Sequence, residues 1–123
     1  MVDVTFHFGI GLLTGMIATS RPVLAAWRTR RPLAPPIGRA LRTGYALAAW
    51  AVIPNLLRHA GCPNGFVDGW WMNLFLLHPL IRRLGFGGAP LGAAVLGFAF
   101  AVQYALVLAA VARCTRMQSL RPS

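Results

Sequence analysis

An all-α integral membrane bundle is the fold this sequence predicts, and two features predict it. Hydrophobic residues make up 57% of the 123 and charged residues only 11%, a balance too apolar for a soluble domain of this size to cover. The uncharged runs are also long, at 4–20, 43–57 and 84–112, and the last exceeds the ~20 residues with which a helix crosses the hydrocarbon of a bilayer. The expected architecture is a single polytopic domain over 1–123 with three transmembrane helices, at about 4–26, 40–57 and 90–112. A short re-entrant or interfacial helix at about 66–81 completes it, and the other reading of that segment makes it a fourth span.

The opening of the chain, Met1-Val2-Asp3-Val4, has no basic stretch ahead of its apolar run and leads straight into arginines, so it reads as a retained first helix rather than a cleaved signal. Residues 21–42 follow, with Arg21, Arg28, Arg30, Arg31, Arg39 and Arg42 among Pro32, Pro35 and Pro36. Prolines lack the donor a helix interior needs, so this stretch is expected to be a stiff, extended basic loop. Arginine clusters mark the cytoplasmic side, which puts the N-terminus outside. The second span ends at Pro54-Asn55 and delivers a Gly- and Pro-rich turn, 58–65, to the outer face. The third returns the chain inward, to a second basic cluster of Arg113, Arg116 and Arg121. The resulting location is the inner membrane, multi-pass, with the C-terminus cytoplasmic. Arg58 and the other span-end arginines extend the shorter runs by sending their guanidinium to the headgroups.

The segment 66–81 is short for a crossing helix. At 100° per residue Asp68, Asn73 and His78 fall about 140° apart, so it has no single polar face. It is expected to begin with Asp68 as N-cap, to be anchored by Trp70 and Trp71, and to stop at Pro79. In the three-span topology Cys62 lies outside and Cys114 inside, where they cannot pair; with four spans both lie outside.

Twelve arginines and no lysine stand against Asp3 and Asp68, a net charge of +10. The arginines are divided among membrane-flanking segments and form no aromatic-interleaved basic face, which argues against nucleic acid and for membrane lipids as the partner of that charge.

In the third span Ala89, Ala93, Gly97, Ala101, Ala105 and Ala109 are all small at a spacing of four. Such a row lets another backbone approach closely, which is how helices associate in lipid. The first span has His7, Gly11, Gly15 and Thr19 in a comparable row, and the second has Gly44, Ala48, Ala51 and Asn55. Three small sides can close one bundle in which His7, Asn55 and Gln103 satisfy each other. The bulky opposite sides then face lipid, a partner subunit (another membrane subunit or a second copy) or pigment.

Catalytic groups are sparse: no serine has a histidine and an acid placed beside it, and 85–88 lacks the strand and lysine of a phosphate loop. His59, Cys62, Asp68 and His78 are types that suit zinc, at spacings matching no specific motif. His7 and His78 are the candidate ligands of a divalent metal or of a tetrapyrrole. A pore-forming reading meets no polar stripe along any span. The opening Asp3-Val4-Thr5-Phe6-His7 with Gly11 and Gly15, then Ile53-Pro54-Asn55 and His78-Pro79, resembles the small membrane-bound, metal-dependent hydrolases regulated with the bacterial DNA-damage response. Members of that family often begin with Thr-His and spaced glycines and carry Pro-Asp after the second apolar segment. The resemblance implies His7 and His78 as metal ligands, and Asn55 in place of the family's Asp removes a carboxylate and impairs the enzyme. From the residues themselves the leading expectation is a non-enzymatic accessory subunit of a larger inner-membrane complex, acting by helix packing; the alternative is the hydrolase.

Overall fold

The computed structural model describes residues 4–75 and 88–119, and everything regular among them is helical. Helix α1 spans Val4–Ala18 and α2 spans Ser20–Arg28, with a 47° bend between them. The bend has a local cause. Thr19 Oγ1 donates to Gly15 O at 2.7 Å and Ser20 Oγ to Ile17 O at 2.7 Å, back-bonds that loosen the helical ladder. Pro22 then withdraws the donor owed to the last turn of α1. The first apolar segment is thus a broken pair of helices rather than one straight span over 4–26.

Helix α3 spans Ala34–His59, with Pro35 and Pro36 in its first turn. This corrects the extended loop expected through 42. The first backbone N–H groups of a helix have no acceptor within it, so prolines there sacrifice nothing and their fixed φ favours the start. The connection shrinks to 29–33. Helix α3 closes on Gly61 at φ +87, with Cys62 N donating to Leu57 O and Gly61 N to Arg58 O, the paired closure in which glycine is the favoured residue.

Next come a single turn, α4 (Asn64–Val67), and a 3-10 turn over Trp70–Leu74. A continuous helix from 66 is therefore not formed in the described part, and Asp68 ends α4 instead of capping a new helix. The remainder of that expected helix, with His78 and Pro79, lies outside the described residues. Helix α5 spans Ala89–Ser119 and is the one described helix long and apolar enough by itself to cross a membrane; α1 with α2 qualifies if the bent pair is counted as one span.

Glycine sets how the helices meet. A Cβ on Gly11 would land on the Cα of Ala48, 2.7 Å from Leu47 O, and one on Gly15 would land on the Cα of Gly44, 2.8 Å from Thr43 C. These pairings run in opposite chain directions, so α1 and α3 are antiparallel and in near-backbone contact. Gly9 faces Leu96 N and Val95 Cγ1, each 3.0 Å from a hypothetical Cβ, and Trp27 meets Arg113 farther along, so α1–α2 and α5 run parallel. Tyr45 bonds to Gln103, which completes a bundle with α3 antiparallel to both. Leu12, Ala48 and Ala99 form one core cluster, and Val23, Ala26, Leu33, Ile37 and Ala40 form the other, against Leu106 and Ala110.

Because α3 and α5 are antiparallel, the chain leaves one and enters the other at the same end of the bundle. The described helices make three passes along it. Cys62 and Cys114 accordingly stand at opposite ends, both as free thiols.

Candidate functional site

The two ends of the bundle differ sharply in chemistry. At the end where α3 finishes, polar groups are buried among aromatics. His7 is fully buried and Asn55 nearly so. The register of Gly11 over Ala48 and Gly15 over Gly44 sets His7 about level with Val52, one turn from Asn55. Asn55 Nδ2 has no hydrogen-bond partner among the described residues. Arg58 Nη2 donates to Asp68 Oδ1 at 2.6 Å, so the carboxylate expected to cap a helix instead ties α4 to the end of α3. Around them Trp50 stacks on Phe75 at 4.8 Å and donates its indole N–H to Leu74 O, and Trp71 meets Phe66 edge-on at 4.4 Å. Trp70 is 84% exposed, a position from which an amphipathic ring can reach an interface.

Gln103 is buried too, but two turns away from His7, where Tyr45 Oη donates to its Oε1 at 3.2 Å. The expected mutual satisfaction of His7, Asn55 and Gln103 is therefore corrected: α5 sits too far along the bundle for Gln103 to join the other two. Tyr45 was not singled out from sequence; its place next to Gly44, on a helix expected to pack closely, was the available signal.

Among the described residues no three His, Cys, Asp or Glu side chains come together as a metal site. His59 is exposed, Cys62 is a half-buried free thiol and Asp68 is engaged by Arg58. His78 lies outside the described residues.

The small-residue rows divide. Gly11 and Gly15 lie at the closest approach in the bundle. On α5, by contrast, Ala89, Ala93, Gly97, Ala101 and Ala105 are exposed, Ala109 is half-buried, and a Cβ on Gly97 would meet nothing within 4 Å. The seam that packs inside the chain is Gly92, Leu96, Ala99, Gln103, Leu106 and Ala110, alternating four and three. That alternation tracks a neighbouring helix better than a strict spacing of four, which drifts around the axis, and the glycine that permits the α1–α5 contact is Gly9. The expectation that the α5 row closes this bundle is corrected, and the row is left facing outward beside Phe98 and Tyr104, 61% and 67% exposed.

Comparison with known proteins returns nothing. No protein-family model, curated protein or solved structure matches the chain.

At the other end the chemistry is cationic. The C-terminal turns of α2 and α5 converge, with Arg113 Nη2 donating to Trp27 O at 3.3 Å and its guanidinium 5.4 Å from the centroid of the Trp27 ring. Between these turns lies a cleft of about 750 Å³, bordered by Trp27, Arg28, Arg30, Arg113, Arg116 and Met117 over a floor of Ala109 and Ala112. The sequence signal for it was Trp27-Arg28 together with Arg113 and Arg116 three apart on one helical face, but only the bundle reveals that the two clusters meet.

Proposed function

We propose that the chain is a three-pass inner-membrane protein serving as a non-enzymatic, helix-packing subunit of a larger membrane assembly. Its arginine-rich end lies in the cytoplasm and its Trp-rich end outside. One observation carries the reading: α5 presents an exposed apolar face with small residues at every fourth position, while its own bundle uses a different seam. Bilayer or partner helices must cover that face, and the open row at Gly97 favours a helix approaching closely. Membrane placement draws further support from the charge distribution, since Arg28, Arg30, Arg31, Arg113 and Arg116 share one end and the positive-inside rule assigns that end to the cytoplasm.

The test is extraction from the native membrane in mild detergent, followed by measurement of native mass. Migration within an assembly far above 13.3 kDa, and release from it by Gly97→Leu with Ala101→Leu, is the expected result. Recovery of the unmodified chain as a monomer would overturn the subunit reading.

A second reading, the metal-dependent hydrolase, is favoured by the burial of His7 one turn from Asn55, the two positions its resemblance makes part of the site. It predicts a divalent metal in the purified protein that His7→Ala removes. Metal-free protein as isolated would dismiss it.

A further inference from the structure

We propose that the cleft between the C-terminal turns of α2 and α5 is a binding site for the phosphate headgroup of an anionic phospholipid. The proposal rests on the membrane placement above but is independent of the subunit reading. Arg28, Arg30, Arg113 and Arg116 border this one cleft, and no carboxylate among the described residues lies with them. Asp68, the acid among the described residues, is held by Arg58 at the opposite end. Only Arg113 is given other work, donating to the Trp27 carbonyl and lying against its ring. A guanidinium carries its donors in a planar fork that matches two phosphate oxygens. The volume falls in the range of small-molecule sites. Trp27, Ala109, Ala112 and Met117 supply apolar surface that continues onto the exposed face of α5, where an acyl chain would lie. Free phosphate would have no use for that continuation; a lipid does.

The backbone gives a second, independent reason. Helix α2 ends in the same paired closure as α3: Arg31 N donates to Ala26 O at 3.0 Å and Arg30 N to Trp27 O at 3.5 Å. In α3 the residue at the left-handed position is glycine. In α2 it is Arg30, at φ 55, the one non-glycine residue with positive φ among the described residues. A Cβ is disfavoured there and glycine would suffice for the turn. Strained residues gather at binding sites, and what the arginine adds over glycine is a guanidinium on the cleft rim.

The experiment uses the full chain purified in detergent from mixed phosphatidylglycerol and phosphatidylcholine, with retained lipid counted by native mass spectrometry. A basic residue near an anionic lipid surface contributes about 1 kcal/mol, or about fivefold, so Arg30→Gly with Arg116→Gln should cut the preference for phosphatidylglycerol about 25-fold. Arg39→Gln with Arg42→Gln removes equal charge from outside the cleft and should leave the preference unchanged. Because Arg30→Gly relieves the backbone, its loss of lipid cannot be assigned to misfolding, and unchanged helical circular dichroism should confirm it. Equal retention of both lipids by the unmodified chain, or an equal loss in both double variants, would overturn the site in favour of diffuse charge. Displacement of the lipid by excess inorganic phosphate would also overturn it, by making free phosphate the ligand. A chain recovered in the soluble fraction without detergent would instead defeat the membrane placement itself.

Discussion

Replacing Gly15 by alanine tests the close approach of α1 and α3 most directly. The added Cβ would fall on the Cα of Gly44, 2.5 Å from its nitrogen and 2.8 Å from Thr43 C, where ordinary contact begins near 3.4 Å. All three obstacles are backbone, so no side chain can swing aside. The helices must separate by roughly 1 Å, and a gap of that order forfeits a quarter to a half of each contact's dispersion well of ~0.1–0.2 kcal/mol. Over the tens of atom pairs along α1 and α3 this comes to about 2 kcal/mol, within the ~1–3 kcal/mol typical of overpacking. Alanine's better helix propensity returns ~0.5–1 kcal/mol, leaving a net loss of about 1–2 kcal/mol. Gly38 lies in the same bundle on α3 with nothing within 4 Å of its hypothetical Cβ, so Gly38→Ala should gain the propensity term alone, ~0.5–1 kcal/mol. Denaturant unfolding in mixed micelles, followed by circular dichroism, measures both. Should Gly15→Ala prove no less stable than Gly38→Ala, the helices do not touch there and the packing argument fails.

Tyr45→Phe removes the donor to Gln103 and leaves a buried amide unpaired, at a cost of about 1 kcal/mol; an unchanged unfolding midpoint would mean Gln103 finds another partner. Arg30→Gly should stabilise the chain by about 1 kcal/mol, since glycine takes φ 55 without strain, readable as a higher midpoint in the same assay. Cys62 and Cys114 stand at opposite ends, so a membrane-impermeant thiol reagent applied to intact spheroplasts should label Cys62 and spare Cys114; labelling of both, or of Cys114 alone, would refute the three-pass orientation. Asp68→Asn breaks the 2.6 Å pair with Arg58, partly exposed on both sides, and should cost no more than about 1 kcal/mol. The loss should shrink in high salt.

The sequence makes the helices legible wherever a feature acts locally. Apolar length marks α5, and the rows holding Gly11 and Gly15 on one helix and Gly44 and Ala48 on the other do meet, because glycine at a spacing of four has few other uses in an apolar helix. Proline misleads at 32–36 because its effect depends on position: it breaks a helix interior and begins a helix readily. Asp68 misleads because two short turns and an ion pair compete with capping, and which wins depends on where α3 delivers Arg58. Arg30 is invisible beforehand, since the left-handed position belongs to a motif whose usual residue is glycine.

The two faces of α5 show why site reading from one chain stalls in a membrane-like composition. In water a helix declares its buried side by the contrast between apolar and charged residues. Along α5 both sides are apolar, so hydrophobicity cannot choose between them, and the small row and the actual seam are each plausible by composition. Geometry makes the choice: Gly9 of α1 admits Leu96 and Val95 so closely that an added Cβ would stand 3.0 Å from Leu96 N and Val95 Cγ1, and Tyr45 claims Gln103, which together fix the rotation of α5 about its axis. Once that rotation is set, Gly97 and the alanines must point away from the bundle, while Arg113 and Arg116 must come round to meet Trp27 and Arg28. The outward small row and the basic cleft are therefore consequences of the same rotation. A substitution that turns α5, such as a bulky residue at Gly9, should disturb lipid retention in the cleft and any association through Gly97 together, whereas substitutions within either site should leave the other intact.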